Sequence, residues 1–301
     1  MKNNRLFVIA ALLGTVLAGC QKIAEIQNPE EKPKAEKGWK LTVKATKNAE
    51  TRALDYNGTK IVASWETNEI VDVYLEGDAG LKLGSLKVVA VESDGTATLS
   101  GTVSVEGVEE GDILKLLYPG TGAEGDPAWT YVGQTGLDPE NEYDYASALL
   151  EVETLDADTQ TIETSSESTD FENLQSYYHF GFKLNGSLIG VSTFIVASSK
   201  NQLVRDFTFN GTWTPEYGML YLTPGSSTTD GRYFASLRNE YAGTDGNYAF
   251  SVVGTDDALY EGVKSISKDL SENGKFWTAT VNVEQKSYAP LTGAVTENEV
   301  L

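Results

Sequence analysis

The chain has one histidine, one cysteine and 44 aspartates and glutamates, so little in it is equipped for catalysis. His179 sits in SYYHFGFKL, with aromatic residues on both sides. A His/Cys metal centre needs more such ligands than His179 and Cys20 supply. A serine nucleophile would need His179 as its base, but no Gly-x-Ser-x-Gly turn singles out a serine. His179 therefore reads as a strand residue, satisfied in the core or at a sheet face. Two suitably spaced carboxylates suffice for glycoside hydrolysis, but among so many acids a chance pair carries no information. The acidic stretch with Asp156, Asp158, Glu163 and Glu167 offers oxygen ligands of the kind calcium takes. It lacks the D-x-[DN]-x-[DN]-G spacing and reads as a solvated loop. No catalytic residue, metal site or cofactor is expected. Exposed aromatics could hold a sugar, with Trp129, Tyr131, Trp213, Tyr217, Tyr221, Tyr241 and Tyr248 as candidates. In a β protein most such rings are core edges or cross-strand partners. The segment TWTPEYG, with Trp213 and Tyr217 around Pro215, and Trp129 are the expected ligand face for a glycan or a host protein.

Cys20 has different chemistry available to it. Lys2 and Arg5 precede an apolar run from Leu6 to Ala18. That run is too short for a bilayer span, which takes about 20 residues, and has the layout of a secretory signal. It closes on Leu17-Ala18-Gly19-Cys20, which resembles the bacterial lipoprotein signal. That resemblance implies cleavage before Cys20, lipid on its sulfur and new amino group, and a protein anchored to a membrane by acyl chains. The other reading is an ordinary secretion signal with an incidental thiol, which cannot form a disulfide within the chain. Residues 1–19 are thus the expected lipoprotein signal peptide. Residues 20–38, rich in Lys, Glu and Pro, are the expected flexible tether. The net charge of −21 repels nucleic acid and anionic lipid and leaves no basic groove for phosphates.

The elements that must position these groups are strands. WKLTVKAT alternates, with Trp39, Leu41, Val43 and Ala45 on one face. EIVDVYLE places Ile70, Asp72 and Tyr74 on one side, and Val71, Val73 and Leu75 on the other. Many further short alternating runs, separated by Gly, Asp, Asn and Pro, read as antiparallel sheets packed as sandwiches. DALYEGVKSISKDL is the one candidate helix, with Leu259, Val263 and Ile266 as its stripe. The polar stretch 154–172 divides the chain into an N-terminal β-sandwich domain at 39–172 and a C-terminal one at 173–301. One large domain with a long surface loop is the alternative.

The stretch ETRALDYNGTKIVASWETNEIVDVY carries a more specific signal. Its Thr51, Arg52, Trp65, Asn68, Glu69, Ile70, Val73 and Tyr74, with LLYP at 116–119, YASALL at 145–150 and YYHFGFKLNGSL at 177–188, resemble the fimbrillin family of Bacteroides-type pilus lipoproteins, which includes the FimA-like and Mfa-like proteins. Gly181 and Phe182 depart from the small residue usual in that family's strand. The resemblance implies an all-β fold of two transthyretin-like β-sandwich domains. It also implies a structural or adhesive fimbrial subunit, lipid-anchored at the outer membrane and cell surface through Cys20. A trypsin-like protease would cut after Arg52 and remove the strand holding Trp39, Leu41, Val43 and Ala45. Another fimbrial subunit would then insert a strand into the vacated groove. Arg52 is otherwise an ordinary loop residue, and Arg205, Arg232 and Arg238 are other trypsin-like targets. The C-terminal APLTGAVTENEVL puts Leu291, Gly293, Val295 and Glu297 in one register, which makes a weak donor strand. A non-polymerising surface lipoprotein that binds glycan or host protein is the alternative function.

Overall fold

The computed structural model describes residues 38–47, 55–56, 61–62, 64–77, 81–122, 128–137, 143–209 and 212–287. Cys20, Thr51, Arg52, the signal 1–19, the tether through residue 37 and the C-terminal segment 288–301 lie outside these residues. In chain order the first strands are β1 (Trp39–Lys47), β2 (Asp55–Tyr56), β3 (Ile61–Val62), β4 (Ile70–Leu75), β5 (Lys82–Val91), β6 (Ala97–Val103), β7 (Ile113–Tyr118), β8 (Ala128–Thr130), β9 (Ala146–Asp156), β10 (Thr161–Thr164) and β11 (Ser168–Asn173). Then come β12 (Ser176–Leu184), β13 (Ser187–Leu188), β14 (Val191–Ser198), β15 (Val204–Phe209), β16 (Trp213–Tyr217), β17 (Leu220–Leu222), β18 (Arg232–Leu237), β19 (Asn247–Gly254), β20 (Leu259–Ser265) and β21 (Phe276–Lys286).

The first sheet closes on itself. Its order runs β1-β11-β9-β7-β4-β5-β6, and β6 pairs back onto β1. Closure leaves this barrel without an open edge. Its interior is filled by alternate residues of every strand, among them Leu41, Val43, Val71, Val73, Leu86, Leu99, Leu116, Leu150 and Phe171. The second sheet is open, ordered β12-β21-β20-β19-β14-β17, with β13 and β18 on the far side of β12. It curls: β12 and β14 stand well apart in that order, yet Phe182 and Phe194 meet across the interior with ring centroids 5.1 Å apart. Tyr178, Phe180, Tyr248, Phe250 and Tyr260 complete this aromatic core.

Both cores belong to one compact unit, Lys37–Leu301. The expected boundary at 172/173 falls one residue before the end of β11. The chain also crosses that line, because β8 pairs with β15 in a three-stranded sheet, β16-β15-β8. Strand β4 is consequently covered on both faces. Its Val71, Val73 and Leu75 enter the barrel, while Tyr74 packs edge-on against Phe209 of β15 at 5.0 Å. Asp72 shares the Tyr74 face and is fully buried. Its carboxylate accepts from Ser85 Oγ at 2.6 Å and Thr121 N at 2.8 Å, and it pairs with Lys82 Nζ at 2.9 Å. Burial works against its ionisation. The hydrogen bonds from Ser85, Lys82 and Thr121 and the Lys82 charge outweigh burial and hold the pKa below the usual value.

Three sequence expectations need correction. The acidic stretch around Asp156, Asp158, Glu163 and Glu167 is not one solvated loop: it holds the end of β9 and strand β10, whose backbone pairs with β9 and β1. The sheets are not purely antiparallel: β1 runs parallel to β10 and β11, and β12 runs parallel to β21. In each case a sheet brings the opening strand of its half of the chain beside a later one, and long connections permit a parallel match. The candidate helix is not formed over Leu259–Ser265, which is strand β20. Pairing with β19 and β21 on both sides satisfies its backbone, whereas an isolated short helix would be marginal. Val263, assigned to the helix stripe, is 63% exposed.

Candidate functional site

The site is built around β1. From Trp39↔Val103 to Ala45↔Ala97 it pairs antiparallel with β6. On its other side it pairs parallel with β10 at Lys40 and Leu41, and with β11 from Lys44 to Lys47. Leu41, Val43 and Ala45 are buried and Trp39 is half-buried, while Lys40, Thr42 and Lys44 are exposed. The alternation follows from the two-residue period of a strand whose one face lines the barrel. Burial of each larger apolar side chain contributes about 1.5–3 kcal/mol. Removing β1 would uncover a row of backbone donors and acceptors on both flanks together with an apolar groove.

The inward register continues one step beyond the residues singled out from the sequence. Lys47 is also buried, and its ammonium lies inside the barrel mouth. It stands 4.1 Å from the Trp65 ring centroid and 4.4 Å from that of Tyr118. It donates to Ser64 O at 3.0 Å and pairs with Glu69 Oε2 at 3.4 Å. Glu69 also accepts from Glu66 N at 2.8 Å and from the Tyr118 hydroxyl. Trp65 packs edge-on against Phe171 at 5.2 Å and Tyr118 at 5.3 Å. Asn68 turns the chain into β4 at φ +80°, a left-handed conformation that Asn tolerates better than most residues. Trp65, Asn68, Glu69 and Tyr118, scattered through two motifs of the sequence, thus gather around the end of β1. Lys47 is the next odd position of WKLTVKATK, and the two-residue period is the signal that marks it as inward despite its charge.

The expected ligand face is split by the fold. Trp129 is buried, stacked on Tyr145 at 4.8 Å and edge-on to Phe207 at 5.2 Å. Its ring faces are occupied by core neighbours, because β8 carries it beneath the β15–β16 hairpin. Tyr131 and Tyr248 are buried as well. Trp213 is half-buried against Phe207 and Phe209, at 4.8 and 4.9 Å. Tyr217 is exposed; its hydroxyl donates to Glu240 at 2.6 Å, and chiefly that bond pushes its pKa up to about 12. Tyr221 and Met219 are exposed beside it. Met219 borders an open depression of about 570 Å³ on the outer side of the curled sheet, lined also by Ile195, Ala197 and Val263.

His179 is buried, stacked on Phe234 at 4.2 Å, with Nε2 3.3 Å from Asp230 Oδ2. Burial lowers its pKa, Asp230 raises it and Arg232 lowers it, with a net shift downward. Asp156 closes the β9–β10 turn by accepting from Asp158 N, Thr159 N and Thr159 Oγ1. Among the described residues, no cluster of three or more His, Cys, Asp and Glu side chains could hold a metal ion. Also among them, no helix is long and apolar enough to cross a membrane.

The fold is thus a closed β-barrel joined to a curled open sheet. No protein-family model matches the chain, and no curated protein matches it. Similar solved structures include a candidate cell adhesion protein from Bacteroides ovatus (15% identity, TM-score 0.45, covering 83% of this chain and 96% of that one). Another, from Bacteroides uniformis, shows 16% identity and a TM-score of 0.44, covering 82% and 96%. The tip fimbrial protein Mfa3 from Porphyromonas gingivalis, with a C-terminal truncation, shows 8% identity and a TM-score of 0.39, covering 82% and 98%.

Proposed function

We propose that this chain is a non-catalytic surface subunit that assembles by exchange of its first strand. One observation carries the reading: β1 is an inward-alternating strand bonded on both flanks, and the segment 48–54 that follows it contains Arg52. A cut there leaves β1 held only by non-covalent contacts. Its departure opens a groove that another β-strand can fill, restoring the hydrogen bonds and supplying alternate side chains to the pockets. An open edge invites aggregation, so keeping β1 in place until export is complete protects the chain in transit. In this reading Cys20 holds the precursor on the outer membrane by its acyl chains. Residues 39–172 and 173–301 are its two transthyretin-like domains, and a trypsin-like protease releases β1.

The test uses the folded chain with a specific protease site placed within 48–54. After cleavage, an isotopically labelled 39–47 strand should replace the resident strand, and mass spectrometry of the native complex should show the substitution. Retention of the original strand, with no exchange under conditions that keep the protein folded, would sink the reading.

A second reading is favoured by exposed Met219, Tyr221 and Val263 on the outer side of the curled sheet, with exposed Tyr217 on β16 just before them in the chain. Such a surface suits a glycan or a host protein. Binding in a glycan screen that is lost in Tyr217→Ala and Tyr221→Ala, with stability unchanged, would support it.

A further inference from the structure

We propose that the barrel mouth around Lys47 dictates the chemistry of the strand that replaces β1. The incoming strand must place a lysine or arginine there, which the segment 287–301 does not offer. The inference rests on the strand-exchange reading above and adds the chemistry that its partner strand must carry.

The groove has four inward positions in sequence. Leu41 and Val43 fill apolar space. Ala45 is fully buried directly opposite Ala97, which sets a small residue. Lys47 ends the series. Its ammonium lies between the Trp65 and Tyr118 rings, 4.1 and 4.4 Å from their centroids, with Ser64 O at 3.0 Å and Glu69 Oε2 at 3.4 Å. Cation–π attraction is strongest where water is excluded, and the Lys47 side chain is only 3% exposed. A strand with an apolar residue at this step would leave the largely buried Glu69 carboxylate without its counter-charge. A strand with an acidic residue would set two carboxylates against each other. The fitting donor alternates apolar, apolar, small and cationic.

The segment 287–301 cannot meet that requirement in any register or direction. The segment 287–301, SYAPLTGAVTENEVL, contains no lysine or arginine. Laid along the groove with Leu291 at the place of Leu41, it puts Val295 where Ala45 sits and Glu297 beside Glu69. Charge complementarity therefore selects a strand with a cation at this step and rules out 287–301.

The experiment takes the folded chain cleaved at a protease site within 48–54 and loads it with a fluorescent 39–47 peptide. Unlabelled 39–47 peptides then compete: the native sequence, Lys47→Arg, Lys47→Met, Lys47→Glu and, separately, a 287–301 peptide. The native and Lys47→Arg peptides should displace the label comparably. Lys47→Met should be about 10-fold weaker, Lys47→Glu weaker still, and 287–301 inactive. Equal competition by the Met, Glu or 287–301 peptide overturns the proposal while leaving strand exchange intact. Failure of the native peptide itself to enter the folded, cleaved protein overturns strand exchange, and this proposal with it. A measurement without cleavage guards against a cleaved barrel that collapses. In the intact chain, Lys47→Arg should keep the thermal midpoint of the native protein, Lys47→Met should lower it, and Glu69→Gln should shrink the Lys47→Met effect. Additive effects of the two substitutions would contradict the role given to the cation.

Discussion

Asp72 is fully buried and yet held as a carboxylate, because Ser85, Lys82 and the Thr121 amide converge on it from β5 and the loop after β7. Its pKa lies below the ordinary value, so the unfolded chain takes up the proton first as pH falls. The stabilisation is complete above about pH 4, the ordinary aspartate value, and is lost as pH drops through the lower folded value. Asp72→Asn should therefore cost about 3 kcal/mol at neutral pH and flatten the acid limb of the stability profile, as read by urea unfolding between neutral and acidic pH. His179 shifts in the same direction for a different reason, since burial favours its neutral form. Stability should fall as pH drops below the ordinary histidine value of about 6.5, and His179→Gln should remove that slope in the same titration. Trp129 makes the third case. It is a core residue, so Trp129→Ala should destabilise by about 3–5 kcal/mol, whereas Tyr217→Ala should change stability by no more than about 0.5 kcal/mol. Thermal unfolding of the two variants separates the structural ring from the surface one.

At the scale of elements, β1 combines a regular pattern with an unusual position. Leu41→Ala should lose about 2–5 kcal/mol and Lys40→Ala close to nothing, since only the first faces the barrel. Denaturant midpoints of the two variants check this. Strand β20 gives a second contrast: Val263→Thr should be nearly neutral, because the side chain faces solvent; a helix using Val263 as core would not tolerate it. The alternation of β1 was readable in the sequence because one face of the strand is wet. The inward lysine at its end was not, because its burial depends on Trp65 and Glu69 from the loop before β4 and on Tyr118 from β7. Trp129 was legible as an aromatic but not as a buried one. Its cover is supplied by Phe207 and Trp213, about 80 residues downstream (about the length of a small domain). The Leu259–Ser265 segment misled because its sparse apolar spacing fits a helix as well as a strand, and only the pairing on both sides decides between them.

At the scale of the whole molecule, the barrel and the curled sheet are joined through β8 and through Tyr74 against Phe209, which leaves β1 on the barrel as the element a cut could release. The many short strands were visible in the sequence, and the closed ring was not, since closure rests on pairings between β1 and strands far along the chain. Removal of β1 in the working state is read from the intact mass and N-terminal sequence of the protein isolated from its native cell envelope. A lipid-free chain beginning at Ala53, after Arg52, is the expected result. An acylated chain beginning at Cys20, with β1 still attached, would contradict it.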